Sequence, residues 1–110
     1  MTNPDDLLDL VQLAAAVADA KKAADPIIID VGDVFSVSDY FVVTSGSNPR
    51  QVAAIVNAVE EEVRNVGGPS PLRVEGAESR EWVLMDYGPF VVHVFHQEQR
   101  DFYQLERLWG

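Results

Sequence analysis

The sequence predicts an α/β sandwich in which a mixed sheet carries helices mainly on one face. Three observations support this class: apolar stripes at helical spacing, short β-branched or apolar runs, and alternating side chains on both sides of a Gly-Pro pair near the end. The predicted order of elements is αββαβββα. The 110 residues are expected to form one domain that spans residues 1–110.

The first helix is predicted to begin at Asn3 and to run to about Lys22. Asparagine is a favoured N-cap, and Pro4 suits the first helical position. Pro26 is expected to end the helix, because proline cannot continue one. The apolar stripe of this helix consists of Leu7, Val11, Ala14 and Ala18.

Two short strands are expected next, at residues 27–31 and 40–44, where β-branched and apolar residues cluster. Asn48 and Pro49 then repeat the helix start, and the Gly-Gly-Pro sequence at residues 67–69 is expected to end this second helix. Its predicted buried stripe consists of Val52, Val56, Val59, Val63 and Val66.

After a short strand at residues 72–75, the chain is predicted to form a β-hairpin with Gly88 and Pro89 as its loop. Side chains alternate along a strand, so each face of the hairpin has its own composition. The apolar face suits a core and carries Val83, Met85, Tyr87, Phe90, Val92 and Val94. The mixed face carries Trp82, Leu84, Asp86, Val91, His93 and Phe95.

A last helix is expected from about Glu98, with an apolar stripe at Phe102, Leu105 and Trp109. Helices on the apolar side of the hairpin would leave the mixed face open. That face is then a candidate surface for a partner.

Composition limits the function classes. Eight basic and eighteen acidic residues give a formal charge of −10, which argues against nucleic acid as the main ligand and favours a basic partner. The absence of cysteine excludes thiolate chemistry and fits a reducing compartment. No apolar run approaches the ~20 residues that span a bilayer, and the acidic start is unlike a signal or transit peptide. We therefore expect a cytoplasmic protein that does not bind to or span a membrane.

Two arrangements are candidates for chemistry. The turn at residues 45–47 resembles an anion-binding helix start and the opening motif of nucleotidyltransferases, but the next strand has Arg73 where those enzymes need a carboxylate. Asp86 and His93 are expected to form a hydrogen-bonded pair without an activated nucleophile. No metal is expected, since His93 and His96 point to opposite faces. No catalytic residue or cofactor is expected either. A nucleotide-binding or nucleotidyltransferase-like enzyme is the alternative function.

Several short segments, spread over roughly residues 5–110, match the motifs of a known protein family in the same order and with the same spacing. They are Asp39-Tyr40-Phe41-Val42-Val43, Ser45-Gly46, Arg50-Gln51-Val52, Arg73-Val74-Glu75-Gly76, Glu81-Trp82-Val83-Leu84, Asp86-Tyr87-Gly88, Val91-Val92-His93-Val94-Phe95, Arg100-Asp101-Phe102-Tyr103 and Leu105-Glu106-Arg107-Leu108-Trp109. Together they resemble the ribosomal silencing factor family, also called Iojap-related proteins. One departure is Pro89-Phe90, where the family usually carries an acidic residue.

The resemblance implies a non-enzymatic regulator of translation, with a fold like a nucleotidyltransferase that has lost its catalytic acids. Members of the family bind the large ribosomal subunit through its ribosomal protein fourteen. They block the joining of the small subunit, which represses translation when nutrients are scarce. Dimers of the free protein occur in the family. The lack of an organellar presequence favours the cytoplasm of a bacterium.

Under this resemblance the mixed face of the hairpin is the expected partner-binding site. Its apolar anchors would be Trp82, Leu84 and Phe95. Asp86 would accept hydrogen bonds from a basic side chain of the partner, and Tyr87 and His93 would add polar contacts. The expected rim residues on the last helix are Arg100, Tyr103 and Arg107. The same face has two other interpretations, a core surface covered by a helix and a homodimer interface.

Overall fold

The structure is a computed structural model that describes residues 4–32 and 38–97. Its elements, in chain order, are α1 (Pro4–Ala20), β1 (Ala24–Asp30), β2 (Tyr40–Gly46), α2 (Pro49–Asn65), β3 (Arg73–Glu75), β4 (Trp82–Asp86) and β5 (Phe90–His96). The predicted order of elements is confirmed over these residues. The predicted last helix, with the expected rim residues Arg100, Tyr103 and Arg107, lies outside the described residues.

Within the described residues, five strands form one sheet in the order β1-β2-β5-β4-β3, which confirms the predicted mixed α/β class. β2 and β5 at the centre are parallel, whereas every other neighbouring pair is antiparallel. A parallel pair needs a crossover connection. Here α2, β3 and β4 lie between the two parallel strands in the chain.

The main core lies between the sheet and the two helices, which pack on the same face. Trp82 pairs with Phe95 and Asp86 with Val91, so the hairpin has its predicted register. The predicted apolar face of the hairpin therefore joins the helix stripes in one cluster. Its buried members from the hairpin are Val83, Met85, Tyr87, Phe90, Val92 and Val94.

The end of α1 differs from the prediction. The helix ends at Ala20 in a Schellman motif, in which the N–H of Lys22 donates to the carbonyl of Asp19 at 2.9 Å and the residue after it donates to Ala18 at 3.0 Å. Lys22 occupies the left-handed position of this motif, with φ 64°. Pro26 does not end the helix. It lies in β1, an edge strand whose register shifts between residues 24 and 27, and edge strands with such shifts tolerate proline.

The limits of α2 follow the prediction except at Val66. Asn48 caps the start, since its Oδ1 accepts the N–H of Gln51 at 2.9 Å. Gly68 closes a second Schellman motif by donating to the carbonyl of Val63 at 2.9 Å. Val66 follows the last helical residue and is 59% exposed, so it does not belong to the buried stripe.

Candidate partner-binding face

The face of the sheet opposite α1 and α2 carries a second, smaller apolar cluster. Its fully or largely buried members are Ile29, Val31, Val43 and Phe95, with Ile27, Phe41 and Trp82 packed against them. Trp82 and Leu84 on β4 keep part of their surface exposed, whereas Phe95 keeps none. Phe95 therefore supports the Trp82 ring, on which it stacks with centroids 4.9 Å apart, and presents no surface of its own.

A hydrogen bond ties the indole of Trp82 to His93. The indole Nε1–H donates to Nδ1 of His93 across 3.0 Å. Nδ1 is thus an acceptor, and the imidazole is neutral with its proton on Nε2. Burial lowers the pKa of His93 to about 4. Nε2 is buried and makes no hydrogen bond within the described part of the chain, and the imidazole meets Phe41 edge-on at 4.5 Å between ring centroids.

The predicted hydrogen bond between Asp86 and His93 is wrong. Oδ1 of Asp86 accepts the N–H of Gly88 at 2.8 Å, and Oδ2 lies 3.4 Å from Nε of Arg73. Asp86 and Trp82 both lie diagonal to His93 in the hairpin register, and such neighbours are ~7–8 Å apart at their backbones. The long indole spans that distance, whereas the short carboxylate does not.

Arg73 is a residue of this site that the sequence prediction missed. It pairs with Asp86 across β3 and β4, and its guanidinium also lies 3.5 Å from Oε2 of Glu75. The signal that could have found it is the antiparallel pairing of strand three with strand four. That pairing places a cation directly opposite the carboxylate.

Gly88 and Pro89 form the hairpin loop, as predicted. The N–H of Tyr87 donates to the carbonyl of Phe90 at 3.0 Å, and Gly88 has φ 91°. A glycine at positive φ before proline matches a type II′ turn, which suits the twist of a hairpin. The loop is anchored to the chain before β2, because Ser38 Oγ donates to the carbonyl of Gly88 at 2.9 Å.

Tyr87 lies on the core face, away from Trp82. It is 3% exposed and stacks on Phe90 with centroids 4.6 Å apart. Its hydroxyl is buried without a hydrogen-bond partner in the described residues, and burial raises the pKa of Tyr87 to about 12. In this position Tyr87 offers no surface for the polar contact expected of it.

The turn at residues 45–48 uses its polar groups within the chain. Oε1 of Gln51 accepts the N–H and the hydroxyl of Ser47 at 2.6 and 2.9 Å, while Nε2 donates to the carbonyls of Lys21 and Lys22. A Cβ on Gly46 would come within 2.9 Å of the Val52 backbone nitrogen, so the glycine permits close packing of β2 against α2. These contacts favour a turn and helix cap over a phosphate site.

Two other kinds of site, a metal site and a membrane-spanning helix, are absent from the part of the chain that the structure describes. Across residues 4–32 and 38–97, no group of three or more His, Asp or Glu side chains is placed to hold a metal ion. Over the same ranges, no helix has the length and apolar character needed to cross a membrane.

Comparison with known proteins gives consistent matches. Residues 4–110 match the family model described as "Ribosomal silencing factor during starvation". The ribosomal silencing factor of Bacillus subtilis is 38% identical over 101 residues, which cover 92% of this chain and 85% of that protein. Crystal structures from Chromobacterium violaceum and Bacillus halodurans give TM-scores of 0.87 and 0.81, each at 36% identity and over 94% of this chain. The matches cover 85% and 95% of those two chains, respectively.

Proposed function

The chain belongs to the ribosomal silencing factor family, and from this premise we propose that it binds the large ribosomal subunit through ribosomal protein fourteen. The bound protein occupies the surface that the small subunit needs, so the two subunits do not join. Translation falls as a result when nutrients are scarce. The protein acts in the cytoplasm by steric exclusion and catalyses no reaction.

The observation that carries the placement of the ribosome contact is the partly exposed Trp82 on a face that α1 and α2 leave free. Leu84 extends the apolar surface along the same strand, and Asp86 borders it. Aromatic anchors with a polar border are typical of the centre of a protein interface. The formal charge of −10 adds attraction toward a basic ribosomal protein.

Asp86 takes the partner's cation in this proposal. Its side chain is 23% exposed, and that of its neighbour Arg73 is 65% exposed. The Nε of Arg73 lies 3.4 Å from Oδ2 of Asp86. Exposed ion pairs of this kind are weak, so a basic side chain of the partner can replace Arg73. Phe95 supports the surface from below, and Arg100, Tyr103 and Arg107 stay proposed rim residues.

We expect Trp82→Ala to weaken binding to the large subunit about 30-fold, since truncating a central aromatic costs ~2 kcal/mol or more. Asp86→Asn keeps an acceptor for the Gly88 N–H and removes only the charge, so we expect a loss of about fivefold, the effect of ~1 kcal/mol from one partly exposed ion pair. Sedimentation with purified large and small subunits measures both binding and joining.

Val66→Ala is the matched control, because it also truncates an exposed apolar side chain but follows α2, on the other layer of the molecule. We expect it to bind and to block joining as the wild type does. Undiminished binding by folded Trp82→Ala would refute the placement of the contact. A wild-type protein that does not migrate with the large subunit would refute the proposed function. A mass that rises with protein concentration would instead support a homodimer.

A further inference from the structure

Trp82 is held from two directions. Its indole N–H, the polar group of the side chain, is bound by Nδ1 of His93 at 3.0 Å. The ring stacks on Phe95, with 4.9 Å between centroids and 27° between planes. The indole is thus fixed both in the plane of the ring and against its face.

His93 serves this arrangement at a cost to its own hydrogen bonding. The residue is 4% exposed, and its Nε2 is buried without a hydrogen-bond partner among the described residues. A buried polar group without a partner destabilises a fold. An apolar ring at position 93 would avoid that cost and could keep the edge-to-face contact with Phe41, whose ring centroid lies 4.5 Å from that of the imidazole. The contact with Phe41 does not require a nitrogen at position 93, whereas the bond to Trp82 does.

An indole fixed before binding affects both the strength and the chemistry of an interface. A side chain that is already ordered loses little rotational freedom when a partner covers it, so more of the contact energy remains as affinity. Because the N–H of Trp82 is already satisfied by His93, the partner needs no acceptor for it. The exposed part of the ring then requires an apolar surface.

We propose that His93 is a positioning residue: it acts through Trp82, whose indole it holds in the orientation that enters an apolar pocket of the partner. His93 itself makes no contact with the partner. The pocket that receives Trp82 contains no hydrogen-bond acceptor for the indole. The effect on binding rests on the proposed function, whereas the fixing of the indole is a property of the free protein.

Two variants of His93 separate positioning from stability. His93→Phe keeps a ring, removes the unpartnered Nε2 and takes away the acceptor of the Trp82 N–H. The two changes have opposite effects on stability. We therefore expect a melting temperature close to that of the wild type, while binding to the large subunit falls roughly fivefold to tenfold. His93→Asn keeps an acceptor close to the position of Nδ1 but leaves a smaller side chain. We expect it to be less stable than the wild type and yet to bind more tightly than His93→Phe. A purely structural residue would give the same order in stability and in binding.

The indole proton tests the first step without any ribosome. The chain has two tryptophans, so Trp82→Phe assigns the Trp82 indole signal in a ¹⁵N-correlated NMR spectrum. We expect a downfield proton that exchanges slowly with water in the wild type and in His93→Asn, and loss of both properties in His93→Phe. An unchanged signal in His93→Phe, or binding equal to that of the wild type, would overturn the proposal.

This design distinguishes the inference from the function on which it rests. If the wild type fails to sediment with the large subunit, the proposed function is wrong, and the NMR result alone decides whether His93 fixes Trp82. If the wild type binds and His93→Phe binds equally well, the proposed function stands and the positioning role is wrong.

Discussion

The environment of His93 differs strongly from that of a histidine in water, because the side chain is buried. Burial, rather than a neighbouring charge, lowers its pKa. Acceptance of the Trp82 proton at Nδ1 requires the same neutral form that burial favours. The two effects therefore act in the same direction and keep the imidazole uncharged at neutral pH.

Acidification is expected to destabilise the fold through this residue. The pKa of His93 falls from 6.5 to about 4 on folding, so the unfolded chain binds more protons between these values. The stability given by the neutral imidazole is fully present above the unfolded pKa and is lost as the pH falls toward 4. Between about pH 7 and pH 5 the loss is about 2 kcal/mol.

Urea denaturation at the two pH values measures this loss. His93→Asn lacks the titrating group and should lose less stability than the wild type by about 2 kcal/mol over the same interval. Equal losses in the two proteins would show that His93 does not titrate as its burial implies.

For individual side chains, the sequence predicts which of them share a face of the sheet but not which of them form hydrogen bonds with each other. Strand alternation correctly assigned Trp82, Asp86 and His93 to one side of the sheet. The choice of partner depends on the reach of each side chain across diagonal positions, and alternation carries no information about reach. The depth of Phe95 was also beyond prediction, because it depends on β1 and β2, which lie far away in the sequence.

Among the elements, α1 ends in a way that leaves conformational strain. Lys22 has φ 64°, a region that costs a residue with a Cβ ~1–2 kcal/mol and costs glycine little. Lys22→Gly should therefore stabilise the fold by about 1 kcal/mol, which raises Tm by roughly 4–8 °C in a domain of this size. The carbonyls of Lys21 and Lys22 that bind Gln51 belong to the backbone and are kept.

Lys21→Gly is the control for this prediction. It removes the same charge at a neighbouring position whose φ is not positive, so it should be neutral or destabilising. Thermal unfolding of the three proteins gives the comparison. A lower Tm for Lys22→Gly would show that the lysine is not strained in the folded protein.

The elements that the sequence predicts well are those with a local signal. Asn48 with Pro49 marks the start of α2, and Gly88 with Pro89 marks the hairpin loop. The end of α1 has no such signal, because a lysine occupies the position where glycine is usual. Pro26 was predicted to end α1 because proline cannot continue a helix, but α1 ends six residues earlier and Pro26 lies in β1, an edge strand that tolerates proline.

The charge of −10 is a property of the whole molecule and bears on the rate of its proposed encounter with the ribosome. Attraction to a basic protein accelerates association and is screened by salt. Raising the ionic strength from ~50 to ~300 mM should slow association with the large subunit by roughly tenfold, while dissociation changes much less. Association measured in real time on immobilised large subunits tests this expectation.

Trp82→Ala is the informative comparison here, because the loss of an apolar anchor should accelerate dissociation and leave the salt dependence of association intact. An association rate that rises with salt would contradict electrostatic attraction. Repulsion between the acidic protein and ribosomal RNA would then dominate the encounter.

For the molecule as a whole, the sequence predicts the class and the layering but not the order of strands. Helix stripes and strand alternation place α1 and α2 on one face, as observed. β5 pairs with β2, which lies about fifty residues earlier in the chain. Val42, for example, lies opposite Val92. No local pattern encodes a parallel pair of that separation.

The position of β5 has a consequence for how the protein is made. β5 comes after the other described strands in the chain, yet it lies between β2 and β4. Until residues 90–96 emerge, both of those strands keep an unpaired edge, and open edges recruit strands from other molecules. Closing a sheet from its middle also requires a contact between distant segments, which is slow. A nascent chain therefore passes through an aggregation-prone stage, and a chaperone that shields these two edges would raise its yield.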